Sequence, residues 1–336
     1  MKTILKKDLW SITSFLENKN YKFDKKIILD NLPESFIDDA IKSISSWKTY
    51  EPTPLIRLNK LNNELKFNEI YYKDEDKRFN LKSFKALGGA FAVYKIANEK
   101  KDITVATATA GNHGRSVAWG AQRLGLKCKI FISENVSESR AEAMRNLDAE
   151  VIRVKGNYDN SLKECIEQSN KNNWEIVQDV SWEGYKEVPK LIMAGYTIMV
   201  KEIIDQIDRN SITHVFLQAG VGGMAAAMIA GFAKLSKNIP QFIIIEPENA
   251  DCVFQSIKNN KPTTVDIKKE TVMGGMSCGD VSTIAWEILK NSANYCLTIP
   301  DEAISTAVAL LAEARLSDEK IIGGECAVPG VIALIS

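Results

Sequence analysis

Val215-Phe-Leu-Gln-Ala-Gly-Val-Gly-Gly-Met-Ala225 reads as a short β-rich run, a glycine turn and the opening of an alanine-rich helix. Strand, turn and helix in that order form the repeating unit of a parallel α/β fold, whose ligands sit at the carboxyl ends of the strands. Glycines at such a turn let a ligand approach the backbone. The free N–H groups of the helix start then form a cradle for an anion such as a phosphate.

Outward from this stretch the alternation recurs. Glu69 to Tyr72, Ile103 to Ala106, Lys127 to Ile132, Glu150 to Val154, Thr213 to Gln218 and Gln241 to Glu246 are short β-rich runs, most of them followed by a helical pattern. The expectation is an α/β protein with mainly parallel sheets flanked by helices. Its 336 residues suffice for about two domains. Residues 1–50 read as a helical preface on the spacing of Phe36, Ala40, Ile41 and Ile44, ended by Glu51-Pro-Thr-Pro54. The polar Asn170-Lys-Asn-Asn173 reads as a loop.

Composition narrows the function classes. The 43 basic and 43 acidic residues cancel, so no global field draws in nucleic acid or an anionic membrane. No segment is long and apolar enough to span a bilayer, and the amino terminus lacks the apolar core of a signal peptide. Six cysteines without a C-x-x-C pair are expected to be reduced thiols in a cytoplasmic protein. With His113 and His214 the only histidines, a multi-histidine metal site or a Ser-His-Asp hydrolase has little material. A small-molecule partner is expected, and no metal.

Two more loops carry chemistry. Ser83-Phe-Lys85-Ala-Leu-Gly-Gly89 opens an apolar helical run in which Lys85 is the odd residue, flanked by Phe84, Ala86 and Leu87. A desolvated lysine has a lowered pKa and can form a Schiff base with an aldehyde cofactor; the alternative is a snorkelling lysine at a helix start. Thr107-Ala-Thr-Ala-Gly111-Asn-His-Gly114 is a turn of small residues between a β-like run and a helix, where Asn112 can offer its amide to a ligand. His113 reads as a packed or capping side chain more readily than as a general base.

The loop at Gly220 also satisfies G-x-G-x-x-A, and Glu246 ends the next strand near the spacing of a ribose-binding acid. Taken alone it supports an NAD-dependent oxidoreductase as well as an enzyme of pyridoxal phosphate (PLP), since both need a phosphate at a helix terminus. The company of the loop separates them. A dinucleotide enzyme gives no reason for the apolar-flanked lysine and the Asn-His turn, whereas a PLP enzyme needs lysine, ring-contacting turn and phosphate cradle together.

At these residues the chain resembles the fold-type-II PLP enzymes, the tryptophan-synthase-β-like group, and within them the diaminopropionate ammonia-lyases. The similarity runs from Pro52-Thr-Pro-Leu-Ile-Arg57 to Gly330. It covers Lys73-Asp-Glu75 with Arg78-Phe79, Phe84-Lys-Ala-Leu-Gly-Gly89, Gly111-Asn-His-Gly114 and Ser181-Trp-Glu-Gly-Tyr185 with Ile192-Met-Ala-Gly-Tyr196. It continues through Gln218 to Gly222, Met276-Ser-Cys-Gly279, Ser282-Thr-Ile-Ala-Trp286 and Gly324-Glu-Cys-Ala-Val328. The Trp-Glu-Gly-Tyr and Ser-Thr-Ile-Ala-Trp stretches point to the ammonia-lyases in particular.

The resemblance implies a larger PLP-binding domain of residues 1–89 plus 196–336 and a smaller inserted α/β domain of residues 90–195. It implies that Lys85 carries the cofactor and that Asn112 contacts the ring hydroxyl. The backbone of Gly220, Val221, Gly222, Gly223 and Met224 would hold the phosphate, and Cys326 would face the pyridine nitrogen. A thiol there does not hold that nitrogen protonated, which favours elimination over transamination. The implied reaction is α,β-elimination of ammonia from 2,3-diaminopropionate to pyruvate and ammonia, in a homodimer. Lys85 would be the general base; Asp179, just before the Trp-Glu-Gly-Tyr run, is the candidate carboxylate for the distal ammonium, a capping or surface aspartate being the alternative.

Two departures shape the expectation. Where the ammonia-lyases carry an aspartate for the α-proton of the D-substrate, before the Gly-Asn-His-Gly turn, this chain has Ala110. That points to the L-isomer and keeps an L-serine/L-threonine dehydratase as the neighbouring alternative. The family also continues well past the Glu-Cys-Ala segment, whereas this sequence ends at Leu334-Ile-Ser336. Weaker cofactor retention, or a PLP-binding protein without turnover, is the corresponding alternative. Trp182, Tyr185 and Trp286 read as core packing.

Overall fold

The computed structural model describes residues 9–207 and 211–336. Among them are strands β1 (Ser14–Glu17), β2 (Leu55–Arg57), β3 (Tyr71–Lys73), β4 (Thr104–Ala108), β5 (Lys127–Ser133), β6 (Ala149–Val154), β7 (Glu175–Ile176), β8 (His214–Gln218), β9 (Gln241–Pro247) and β10 (Tyr295–Ile299). They are distributed over two compact units.

The larger unit draws on the described residues of 9–33, 52–76 and 199–336. Its sheet has the order β1-β10-β9-β8. β8, β9 and β10 are parallel, and β1 runs antiparallel along the edge. Phe242 to Pro247 are all buried, and Phe242 to Ile245 form the continuous apolar run of a parallel strand covered on both faces. Ile243 and Ile245 belong to a core cluster with Leu297, Ile304, Leu311 and Ile332. Helix Gly223–Leu235 is buried at Ala225 to Ala233. A two-stranded antiparallel ribbon, β2 with β3, completes the unit.

The smaller unit comprises residues 34–51 and 77–198. Its sheet, β6-β5-β4-β7, is wholly parallel. Helix Lys85–Glu99 is nearly all buried from Ala86 to Val93 and is gripped by two others through glycine. A Cβ on Gly120 of helix Asn112–Arg123 would lie 2.8 Å from Ala90 Cα, and one on Gly195 of helix Glu187–Tyr196 would lie 2.6 Å from the Leu87 carbonyl oxygen. Only a residue without a side chain lets backbones approach so closely.

Three expectations need correction. The preface, of which residues 1–8 lie outside the described residues, does hold helices, Lys25–Asn31 and Glu34–Ser45, the latter buried through Ile37, Ala40 and Ile44, but it also contains the strand β1, whose largely exposed side chains give no alternation to read. Asn170 to Asn172 continue helix Tyr158–Asn172, held by the buried Cys165 and Ser169, and only Asn173 turns, at φ 55°, a left-handed conformation that asparagine tolerates. The unit boundaries also differ from 89 and 196. The glycine-mediated packing above puts the Lys85 helix in the smaller unit, which extends to residue 198 and also takes in residues 34–51.

Candidate active site

Lys85 is the first residue of its helix, and its backbone N–H donates to Ser83 Oγ at 3.2 Å. Its amine lies 5.7 Å from the Phe84 ring centroid and 5.8 Å from that of Tyr196, and those rings meet edge to face at 5.0 Å. The amine is ion-paired with the Asp179 carboxylate. The sequence led to a lysine desolvated among apolar neighbours. The structure instead gives Lys85 an aromatic corner and a carboxylate partner, with 26% of its side chain still exposed.

The approach to Asp179 is built from a buried amide. After β7 ends, Val177 N–H still bonds the Ala106 carbonyl at 2.8 Å. The Gln178 side chain then continues the pairing: Oε1 accepts from Thr107 Oγ1 at 2.8 Å and Ala108 N–H at 3.1 Å, and Nε2 donates to the Ala108 carbonyl at 3.0 Å and to Tyr158 Oη at 2.9 Å. The Gln178 N–H donates to Tyr185 Oη at 2.9 Å, and that hydroxyl donates to the Ile176 carbonyl at 2.8 Å. With every polar atom of this amide used, residue 179 leaves the sheet edge in one direction. Trp182 stacks on Tyr185 at 4.2 Å, so these two rings serve the same segment.

His113 sits beside the pair, with Nε2 at 2.8 Å from the Val177 carbonyl and Nδ1 at 3.9 Å from Asp179 Oδ2. Burial pushes its pKa below the ordinary value, against the pull of Asp179. At neutral pH the ring is therefore neutral, and the nitrogen on a carbonyl must carry the proton. Nδ1 is left buried without a hydrogen-bond partner. Burial raises the Asp179 carboxyl; a proton on His113 would lower it, and the charge and hydrogen bond of Lys85 do, holding the group well below the usual carboxylate range. Since neutral His113 contributes no charge, Lys85 is the effective partner.

A second buried atom without a partner is the Tyr196 hydroxyl. Burial pushes this phenol far above its ordinary value, and the charge and close approach of the Lys85 amine, which falls short of full hydrogen-bond geometry, draw it back. Neither Gln178 nor Tyr196 was selected from the sequence as a site residue. Tyr196 ends a stretch that carries the resemblance, whereas nothing in the local pattern marks Gln178. Asn112 is exposed at the first position of its helix, and its Oδ1 lies 3.5 Å from Arg115 Nη1.

The glycine loop and Cys326 belong to the larger unit. Gly222 has φ +86° and precedes helix Gly223–Leu235, whose first N–H groups have no intrahelical acceptor. A Cβ at Gly220 would lie 2.9 Å from Cys278 Sγ and 3.1 Å from the Gly275 carbonyl oxygen, and one at Gly275 would lie 3.2 Å from Cys326 Sγ. The cradle is thus shaped by backbone and thiols with no room for a side chain. Gln218 Nε2 donates to the Cys326 carbonyl at 3.3 Å. Glu246, on which the dinucleotide alternative turned, is fully buried and accepts from Val253 and Phe254 N–H at 2.9 and 2.7 Å. It braces helix Cys252–Asn259 and is withheld from any ribose.

In the smaller unit a lysine amine beside buried polar atoms without partners suits an aldehyde, and in the larger unit a glycine cradle at a helix start suits a phosphate ester, so the residues of each unit fit PLP by their chemistry. Residues 47–333 match the pyridoxal-phosphate dependent enzymes, and the chain belongs to that family. Over 303 residues it is 36% identical to diaminopropionate ammonia-lyase of Escherichia coli strain K12, covering 84% of this chain and 76% of that one. To the enzyme of the same name from Salmonella typhimurium strain LT2 it is 34% identical over 311 residues, 84% of this chain and 77% of that one. A crystal structure of the Escherichia coli enzyme with an aminoacrylate-PLP azomethine reaction intermediate superposes with a TM-score of 0.88 at 34% identity, covering 97% of this chain and 87% of that one. Fold type II is thereby established.

Proposed function

We propose that the protein eliminates ammonia from L-2,3-diaminopropionate, leaving pyruvate after hydrolysis. The observation that carries this reading is the Asp179 carboxylate, which in this chain already holds an ammonium, that of Lys85. A carboxylate that pairs with an alkylammonium distinguishes a β-amine from a β-hydroxyl, since only the former brings the matching charge. The 36% identity to an ammonia-lyase supports the same substrate.

Bound PLP supplies an aldehyde for a Schiff base and a ring that spreads the charge left on the α-carbon. The residues assigned to hold it are Lys85, the amide of Asn112, the backbone of Gly220 to Met224 and Cys326. Lys85 Nζ takes the α-proton as general base. Asp179 holds the distal ammonium of the substrate, a place open to it once Lys85 is engaged elsewhere. Ala110 offers only a methyl group and no second base on the D-side, hence the choice of the L-isomer. A homodimer in the cytoplasm completes the proposal.

The test is pyruvate and ammonia release from L- and D-diaminopropionate, L-serine and L-threonine, for wild type and Lys85→Ala. Turnover of L-diaminopropionate that Lys85→Ala abolishes is expected. Preference for serine or threonine makes the protein a dehydratase, a faster D-isomer overturns the role given to Ala110, and a visible band without turnover leaves only cofactor binding.

A further inference from the structure

We propose that Tyr196 is a positioning residue for Lys85: its hydroxyl accepts a hydrogen bond from the lysine nitrogen whenever Asp179 is not its partner. The proposal rests on the role given to Lys85 above.

Tyr196 is 2% exposed and its hydroxyl is buried without a hydrogen-bond partner. Folded proteins rarely leave such a group unpaired, because burying it costs free energy that phenylalanine would not. The fold goes further to keep the ring there. A Cβ at Gly88, one turn along the helix from Lys85, would lie 2.5 Å from Tyr196 Cε1, so only glycine admits the ring at that face. The same ring forms one wall of the corner in which the Lys85 amine lies, 5.8 Å from its centroid. Asp179, beyond the end of β7, and His113, on helix Asn112–Arg123, are the other titratable groups facing this amine. His113 uses Nε2 on Val177 and is neutral, whereas Asp179 and Tyr196 each present an oxygen on the side of the Lys85 amine.

The two partners suit two stages. Asp179 holds a charged amine before Lys85 is engaged by PLP, and the phenol is the partner of the Lys85 nitrogen from then on. When Asp179 is taken by the distal ammonium of a substrate, the phenol keeps the Lys85 nitrogen oriented without adding a charge. No covalent step is assigned to Tyr196.

The experiment is Tyr196→Phe in the holoenzyme, a change that keeps the ring and removes one oxygen. The expected result is a kcat for L-diaminopropionate lower on the order of tenfold, with KM changed less than about twofold and thermal stability equal or higher. The visible absorbance of bound PLP, titrated without substrate, should show its midpoint moved to lower pH, because an oxygen lone pair that favours the protonated Lys85 nitrogen is gone. Unchanged kcat together with an unchanged midpoint overturns the proposal and leaves the hydroxyl a structural orphan. If wild type makes no pyruvate, the functional reading fails by itself, and the absorbance midpoints of the two proteins still decide the part played by Tyr196.

Discussion

The Lys85 amine and the Asp179 carboxylate are paired across 94 residues of sequence. The pair joins the start of a buried helix to the segment beyond the shortest strand of its sheet.

Asp179→Asn keeps the shape of the side chain and removes the charge. Loss of a charge-assisted hydrogen bond to the substrate is expected to lower kcat/KM for L-diaminopropionate between about tenfold and a hundredfold, and that for L-serine by much less. Coupled pyruvate assays with both substrates check this; equal losses would show that Asp179 does not read the distal amine.

Gln178→Leu removes the amide that ties Thr107, Ala108 and Tyr158 together. With the buried Ala108 peptide deprived of that partner on both sides, a destabilisation of about 3 kcal/mol is expected, read from urea unfolding. Turnover of diaminopropionate should fall with it even at temperatures where the variant is folded, since residue 179 is no longer aimed.

Gly88→Ala puts a methyl group 2.5 Å from Tyr196 Cε1 and 2.6 Å from the Ile192 carbonyl oxygen. Overpacking against backbone does not relax cheaply, and a cost of about 1–3 kcal/mol is expected, together with lower kcat as the tyrosine ring is pushed away from Lys85. The double variant with Tyr196→Ala, which vacates the ring, should recover part of the stability and none of the rate.

Glu246 gives the pH dependence of the larger unit. Burial pushes its carboxyl up to about 8, against two backbone N–H donors. Its folded pKa lies above the unfolded value, so the folded state binds the extra proton and gains stability at low pH. That stability declines as pH rises from the ordinary carboxylate range through about 8. Thermal melts of wild type should therefore fall over this window more steeply than those of Glu246→Gln, whose amide does not titrate; parallel slopes would show that Glu246 is not the group responsible.

The sequence alone determined the parts that depend on one element at a time. The β-rich run Gln241 to Glu246 announced a strand, and its alternation with helical patterns a parallel sheet, because parallel strands need a crossover, usually a helix, between them. The glycines at 220, 222 and 223 marked a phosphate turn because backbone can approach a ligand there only where side chains are missing. Lys85 stood out because a charge among apolar neighbours costs free energy unless it has a use.

The tertiary structure decided which distant groups meet. Asp179 reads in the sequence as a candidate for an ammonium or equally as a cap or surface carboxylate, and Gln178 as nothing in particular, until β7 lies against β4, the Gln178 amide continues that edge and Asp179 meets Lys85. Gly88 and Gly120 look like two small residues until three helices cross at them and carry Lys85 into the smaller unit. Glu246 matched a ribose-binding acid by spacing, but the packing of helix Cys252–Asn259 turned it inward. Periodicity records only which face of an element is apolar, whereas the partner of a polar side chain is set by how elements dock, and that is a property of the assembled core.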